Sequence, residues 1–137
     1  MSIRVLLSCK HKVIAEGIAS VLRTHADMQL LAVVDDDEVT KTLCESEHPQ
    51  VVVVGVDPRR SEDVALTRWI AQHPVHPEIV TFSTDCDRGS VLQMMQAGAT
   101  GFVSTQSSMD ELLQAIRAAA AGRSYLCPSA GAVMVDG

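Results

Sequence analysis

The chain has 137 residues, 47% of them hydrophobic and 20% charged, which fits one globular domain with one core and excludes a disordered segment. Its formal net charge of −6, with one Trp and one Tyr, argues against this segment gripping nucleic acid itself, which needs clustered Lys and Arg or aromatic stacking platforms. No apolar run approaches a membrane span, and the start, Met-Ser-Ile-Arg, lacks signal-peptide organisation, so a cytoplasmic, non-membrane protein is expected.

Residues 3–7 read as a first strand that stops abruptly at Ser8-Cys9-Lys10-His11. A helical pattern follows, with Ile14, Gly17, Ile18, Val21 and Leu22 on one face. A second strand is expected over 30–34 and a weaker helix around Val39 and Leu43; Asp35, Asp36 and Asp37 between them suit a solvated loop and a helix start. A third strand is expected over 51–55, and its run Val51-Val52-Val53-Val54 is the clearest, since a β-branched run suits burial on both faces. The third helix begins at Ser61, with Glu62 and Asp63 in its first turn and Leu66, Trp69 and Ile70 along it.

A fourth strand is expected over 79–83, followed by a helix with Val91, Leu92, Met94 and Met95 that ends near Gly98. A short strand over 101–103 precedes the best-marked helix. Ser108-Met109-Asp110-Glu111 fits a capping box, Leu112, Leu113 and Ile116 form its apolar face, and Gly122 stops it. The order βαβαβαβαβα predicts a doubly wound parallel sheet, flavodoxin-like, with strand order 2-1-3-4-5. Residues 1–123 are expected to form the domain. Residues 124–137 have a different texture and read as a linker or tail.

In this topology the strand tips collect Ser8 to Lys12, Gly55 to Arg60, Ser83 to Arg88 and Ser104 to Gln106 on one edge. The stretches "VLLSCKH", "HPQVVVVG", "IVTFST" and "AGATGFVST", with "ELLQAIRAAAAGRSYL" near the end, resemble the receiver domain of a NarL/FixJ-type response regulator from a two-component system. The resemblance covers nearly the whole chain. Its most specific parts are Gly98-Ala99-Thr100-Gly101-Phe102 and Gly122-Arg123-Ser124-Tyr125-Leu126.

The resemblance implies an acidic pair for Mg²⁺ at the positions held here by Cys9 and Lys10. It implies a phosphoacceptor Asp at Gly55 and a pairing Lys at Thr105; only the switch hydroxyl is kept, as Ser83. Mg²⁺ needs hard oxygen ligands, and Gly55 has no side chain to phosphorylate. The chain is therefore similar to the aspartate-less receivers of atypical response regulators. That implies transcription regulation without phosphorylation, no enzymatic activity, no cofactor and no metal. A substitute acceptor is conceivable in Asp57, two residues beyond Gly55 and just before Pro58.

The resemblance further implies dimerisation through the helix running from Val91 to Gly98 or the one between Ser108 and Ala121. It also implies a helix-turn-helix output domain, absent from these residues, that alone would contact DNA. Met94 and Met95 are adaptable packing residues on the first of these faces, although at helical spacing at least one belongs to the core.

Other readings of the edge remain open. Cys9, beside Lys10 and His11, could be a redox-sensing thiol, alone or bridged to Cys86; it could equally be a small inert residue filling the place of a lost Asp. Cys44 and Cys127 are expected to be inert, unless an exposed Cys127 cross-links dimers. The absence of any Cys-x-x-Cys argues against a zinc or thioredoxin site. Lys10, Lys12, Arg59, Arg60 and Arg88 could hold an anion such as a phosphate-bearing metabolite, or be solvated surface charges. A free-standing interaction adaptor is the remaining alternative. A phosphatase is excluded because Cys9 is followed six residues later by Ala15 rather than Arg, and a flavin site because residues 8–13 hold no Gly.

Overall fold

The computed structural model describes residues 2–136. Six strands and six helices alternate: β1 (Ile3–Ser8), α1 (Lys12–Arg23), β2 (Met28–Val34), α2 (Asp37–Glu47), β3 (Val51–Gly55), α3 (Ser61–Gln72), β4 (Glu78–Ser83), α4 (Arg88–Ala97), β5 (Gly101–Ser104), α5 (Met109–Ala120), β6 (Tyr125–Leu126) and α6 (Pro128–Asp136). All neighbouring strands are parallel, in the order 2-1-3-4-5-6. The flavodoxin-like expectation holds, with one strand and one helix added at the end.

The sheet is the core. Val51, Val52 and Val53 are fully buried, as a strand covered on both faces requires. Met94 and Phe102 are also fully buried, while Met95 packs half-buried at the margin of the core. The helices are stopped and started by local chemistry. Ser108 Oγ accepts the Glu111 N–H and Asp36 Oδ1 accepts the Glu38 and Val39 N–H groups, so both side chains satisfy orphan donors at a helix start. Gly98 ends α4 at φ +117°, and any Cβ there would run into the side chain of Ala71 on α3, so a larger residue fails on backbone and on space.

The tail departs from expectation. Residues 124–137, read as a linker or tail, add β6 alongside β5, through Tyr125 N–H to Thr100 O at 3.1 Å and Cys127 N–H to Phe102 O at 3.0 Å. α6 then packs back against α4 and β5, with Ala130 fully buried. The expected dimer face on α4 is therefore shared with the chain's own last helix.

Candidate functional site at the strand tips

Parallel strands place their C-terminal tips on one edge, and the loops after β1, β3, β4 and β5 meet there. The β1 tip is fixed first. Thr40 gives its one hydroxyl proton to Asp36 O at 2.9 Å, so Ser8 is the donor in the buried 2.8 Å Ser8–Thr40 contact. This chain ties β1 to the first turn of α2.

Lys10 follows, and its ammonium is not free. Nζ lies 3.1 Å from Asp37 Oδ1 and 3.2 Å from Asp63 Oδ1. Partial burial works against its charge, but the two carboxylates outweigh that and hold its pKa above the usual lysine value. Asp63 is a buried carboxylate whose other oxygen accepts the Asp57 N–H at 2.8 Å. One cation thus joins the tip of β1 to α2, α3 and the loop after β3.

Gly55 ends β3, and its register partner on β4 is Phe82. A Cβ built on Gly55 would stand 2.8 Å from Phe82 Cζ and 3.1 Å from Cε2, closer than carbon atoms tolerate. The space in which a side chain at 55 would begin is occupied by the ring, and Phe82 is itself almost entirely buried.

The loop after β3 is clamped by its own charges. Arg59 donates to Asp57 Oδ1 from its backbone N–H at 3.0 Å and from Nε at 3.1 Å, and to Oδ2 from Nη2 at 3.2 Å. The guanidinium holds the Asp57 carboxyl below the usual carboxylate range. Arg59 Nε also lies 3.3 Å from Asp85 Oδ2, a buried oxygen that has charge proximity there without hydrogen-bond alignment. On the β4 tip, Ser83 is buried and its Oγ accepts the Asp85 N–H at 3.0 Å. Thr105 is exposed and donates its N–H to Ser83 O at 2.9 Å. Among the described residues no group of three His, Cys, Asp or Glu side chains is placed to hold a metal.

The response regulator receiver domain family matches residues 5–117. The chain belongs to that family. This receiver is 23% identical over 126 residues to the transcriptional regulatory protein DegU of Brevibacillus brevis, covering 92% of this chain and 53% of that protein. It is 29% identical over 128 residues to the response regulator GacA of Pseudomonas viridiflava, covering 92% and 59%. Its fold is similar to a solved LuxR-family two-component response regulator from Aurantimonas sp. SI85-9A1, with TM-score 0.90, 25% identity, and 99% and 97% of the two chains covered. The receiver spans somewhat over half the length of the curated relatives it matches.

Two alternative readings of this edge find no support in its geometry. Cys9 does not have the environment of an activated thiol. It is 3% exposed, its Sγ meets His11 O at 3.5 Å, and burial pushes its pKa up. Nor does Cys86 face Cys9: the Cys86 sulfur contacts Ser129 Oγ, at the start of α6, at 3.5 Å. The imagined anion cradle is also largely neutralised. Lys10 pairs with Asp37 and Asp63, Arg59 with Asp57 and Asp85, and Arg60 with Glu62 at 3.1 Å, while Lys12 and Arg88 simply stand exposed.

Two participants escaped sequence reasoning. Asp63 looked like an ordinary first-turn acid of a helix. Phe82 looked like one more apolar strand residue. The available signal was pairwise: a lysine at a buried strand tip demands a carboxylate, and a glycine at the end of a valine run leaves room for a ring.

Proposed function

We propose that this receiver is a regulatory module of a transcription regulator that works without aspartyl phosphorylation. The observation that carries the reading is the Phe82 ring lying over Gly55. A receiver that accepts a phosphoryl group needs an acceptor side chain at that strand tip and carboxylates beside it to hold Mg²⁺. Here the acceptor's volume is taken by carbon, and the neighbouring tip carries an ammonium. A cation held by Asp37 and Asp63 repels a dication from the same place.

The ammonium also supplies part of what a metal does mechanically. It draws the β1 tip, α2 and α3 together through fixed charge. A receiver built this way holds one arrangement of its strand-tip loops without a signal written as phosphate. Its regulatory input then comes through contacts and oligomeric state. Asp57, the acidic residue two positions beyond Gly55, has both of its oxygens already occupied by Arg59.

The relatives DegU and GacA are named as transcriptional or response regulators, and this receiver spans only part of their length. On that basis a helix-turn-helix output domain is expected beyond this receiver in the full protein, with DNA contacted only through it. Homodimerisation through α4 or α5 and a cytoplasmic location complete the reading. The receiver has no helix, among the described residues, long and apolar enough to cross a membrane.

The test is incubation with a small phosphodonor and Mg²⁺, followed by intact mass. The expected outcome is an unmodified chain. A stable adduct of one phosphoryl group that disappears in Asp57→Ala would overturn the reading.

A further inference from the structure

We propose that Cys86 and Cys127 are a peroxide-responsive thiol pair that closes reversibly into a disulfide between the loop before α4 and the start of α6. Both sulfurs lie on one hydroxyl, Ser129 Oγ, at 3.5 Å from Cys86 and 3.4 Å from Cys127. That shared hydroxyl makes the two sulfurs neighbours between the loop before α4 and the start of α6. Both are free thiols in this structure.

The two sites differ in the way a reacting pair should. Cys86 is partly exposed and lines an open cavity of about 390 Å³, with Thr84, Ser104, Gln106, Ser107 and Ser129 among its walls. That cavity is polar and roomy enough for a small hydroperoxide. Cys127 is fully buried directly behind it. It is the residue just before α6, and its own carbonyl accepts the Gly131 N–H at 2.9 Å, so its sulfur stands at the positive end of a nine-residue helix.

Donors converge on the Cys127 sulfur. The Ser104 N–H reaches it at 3.3 Å, and the Ser129 hydroxyl, the Ala130 N–H and the Ser107 hydroxyl add to this. Burial is the largest influence on this thiol and opposes ionisation. The donors together outweigh it and hold its pKa below the ordinary value. Cys86 is pushed up, by burial first. The buried sulfur is therefore the prepared nucleophile, and the exposed sulfur is the one an oxidant meets.

The chemistry balances in two steps. Cys86 Sγ attacks one peroxide oxygen, the O–O bond breaks, and the thiol proton leaves with the departing oxygen as alcohol, or as water if the oxidant is hydrogen peroxide. Cys86 is then a sulfenic acid. Cys127 Sγ attacks Cys86 Sγ, the S–S bond forms and the S–O bond breaks. Hydroxide leaves with the Cys127 proton as water. Two thiols have given two electrons to one hydroperoxide.

The first step is the slow one, because few Cys86 thiolates are present near neutrality. The bridge ties the entry to α4 to the entry to α6, two segments already joined by the Cys86–Ser129 contact. This input needs none of the groups at the β1 and β3 tips.

Trypsin separates the four cysteines onto different peptides: 5–10 for Cys9, 42–59 for Cys44, 69–88 for Cys86 and 124–137 for Cys127. The full 137-residue chain is treated with hydrogen peroxide, alkylated, digested without reductant and mapped by mass spectrometry. The expected product is a cross-linked 69–88/124–137 pair in a chain that stays monomeric in mass, reversed by dithiothreitol and absent in Cys86→Ser. In Cys127→Ala, dimedone should trap several-fold more sulfenic acid at Cys86 than in wild type, because the resolving sulfur is gone. Should Cys127→Ala fail to fold, the wild-type map and the Cys86→Ser control decide the matter alone. Cys86 and Cys127 remaining unlinked after peroxide, or Cys86 bridged to Cys9, Cys44 or a second chain, overturns the proposal.

Discussion

The strand-tip edge divides into two halves of opposite character. Around β1 and β3 it is filled: Lys10 is locked between Asp37 and Asp63, and Phe82 covers Gly55. Around β4, β5 and β6 it is open and rich in hydroxyls and thiols, with Ser104, Ser107, Ser129 and Cys86 lining one cavity. The filled half is held by fixed charge and packing. The open half keeps polar groups with spare hydrogen-bonding capacity. One edge thus carries two unlike environments side by side.

The contrast breaks most severely if the filled half is forced to accept a carboxylate. Gly55→Asp should cost about 3 kcal/mol in urea denaturation, because the new side chain meets the Phe82 ring and is desolvated without a partner. It should also fail to take up phosphate from a small donor. If Gly55→Asp is as stable as wild type and becomes phosphorylated, the filled-half description is wrong.

Asp63→Ala comes next. It leaves the Asp57 N–H and the Lys10 ammonium without their shared acceptor and should cost about 2 kcal/mol, read by the same denaturation. Lys10→Met should cost less, about 1 kcal/mol, since the ammonium is partly solvated. This variant also carries a pH signature. Lys10 is held above its ordinary value of 10.5, so its contribution is fully present below that pH and is lost as pH rises through the higher folded-state value. On the alkaline side, wild type should therefore lose its stability advantage over Lys10→Met in that range. An advantage that vanishes near neutrality would contradict the ion-pair account.

Thr105→Lys is the mildest change. Position 105 is exposed, and the substitution should shift stability by no more than about 0.5 kcal/mol. It restores the cation that the family resemblance assigns there, yet phosphodonor treatment should still leave the mass unchanged. Phosphorylation gained by Thr105→Lys alone would show that the pocket lacked only this one group.

The fold was largely legible because its signals are local. Val51–Gly55 was bounded correctly by its β-branched run, and the Ser108 cap and the Gly98 and Gly122 stops fell where the chain needs them. The site was legible by type but not by contact. The family resemblance draws attention to Cys9 and Lys10 by their place after β1; that Lys10 is paired with Asp63, more than fifty positions away, follows only from folding. The tail was misjudged for a physical reason. A two-residue strand carries no periodicity, and Pro128 was not recognised as the opening residue of a helix, where its missing N–H costs nothing.

β6 has a consequence for how the domain can be handled. Tyr125 within it and Cys127 just after it donate to the carbonyls of Thr100 and Phe102, which otherwise have no strand on that side. Ending the chain at residue 123, where the composition changes, would bare the backbone of β5, four buried residues with pairing groups pointing outward. Such a rim is a template onto which another molecule's strand can add. The solubility of the isolated unit thus rests on the stretch that its sequence marks as dispensable.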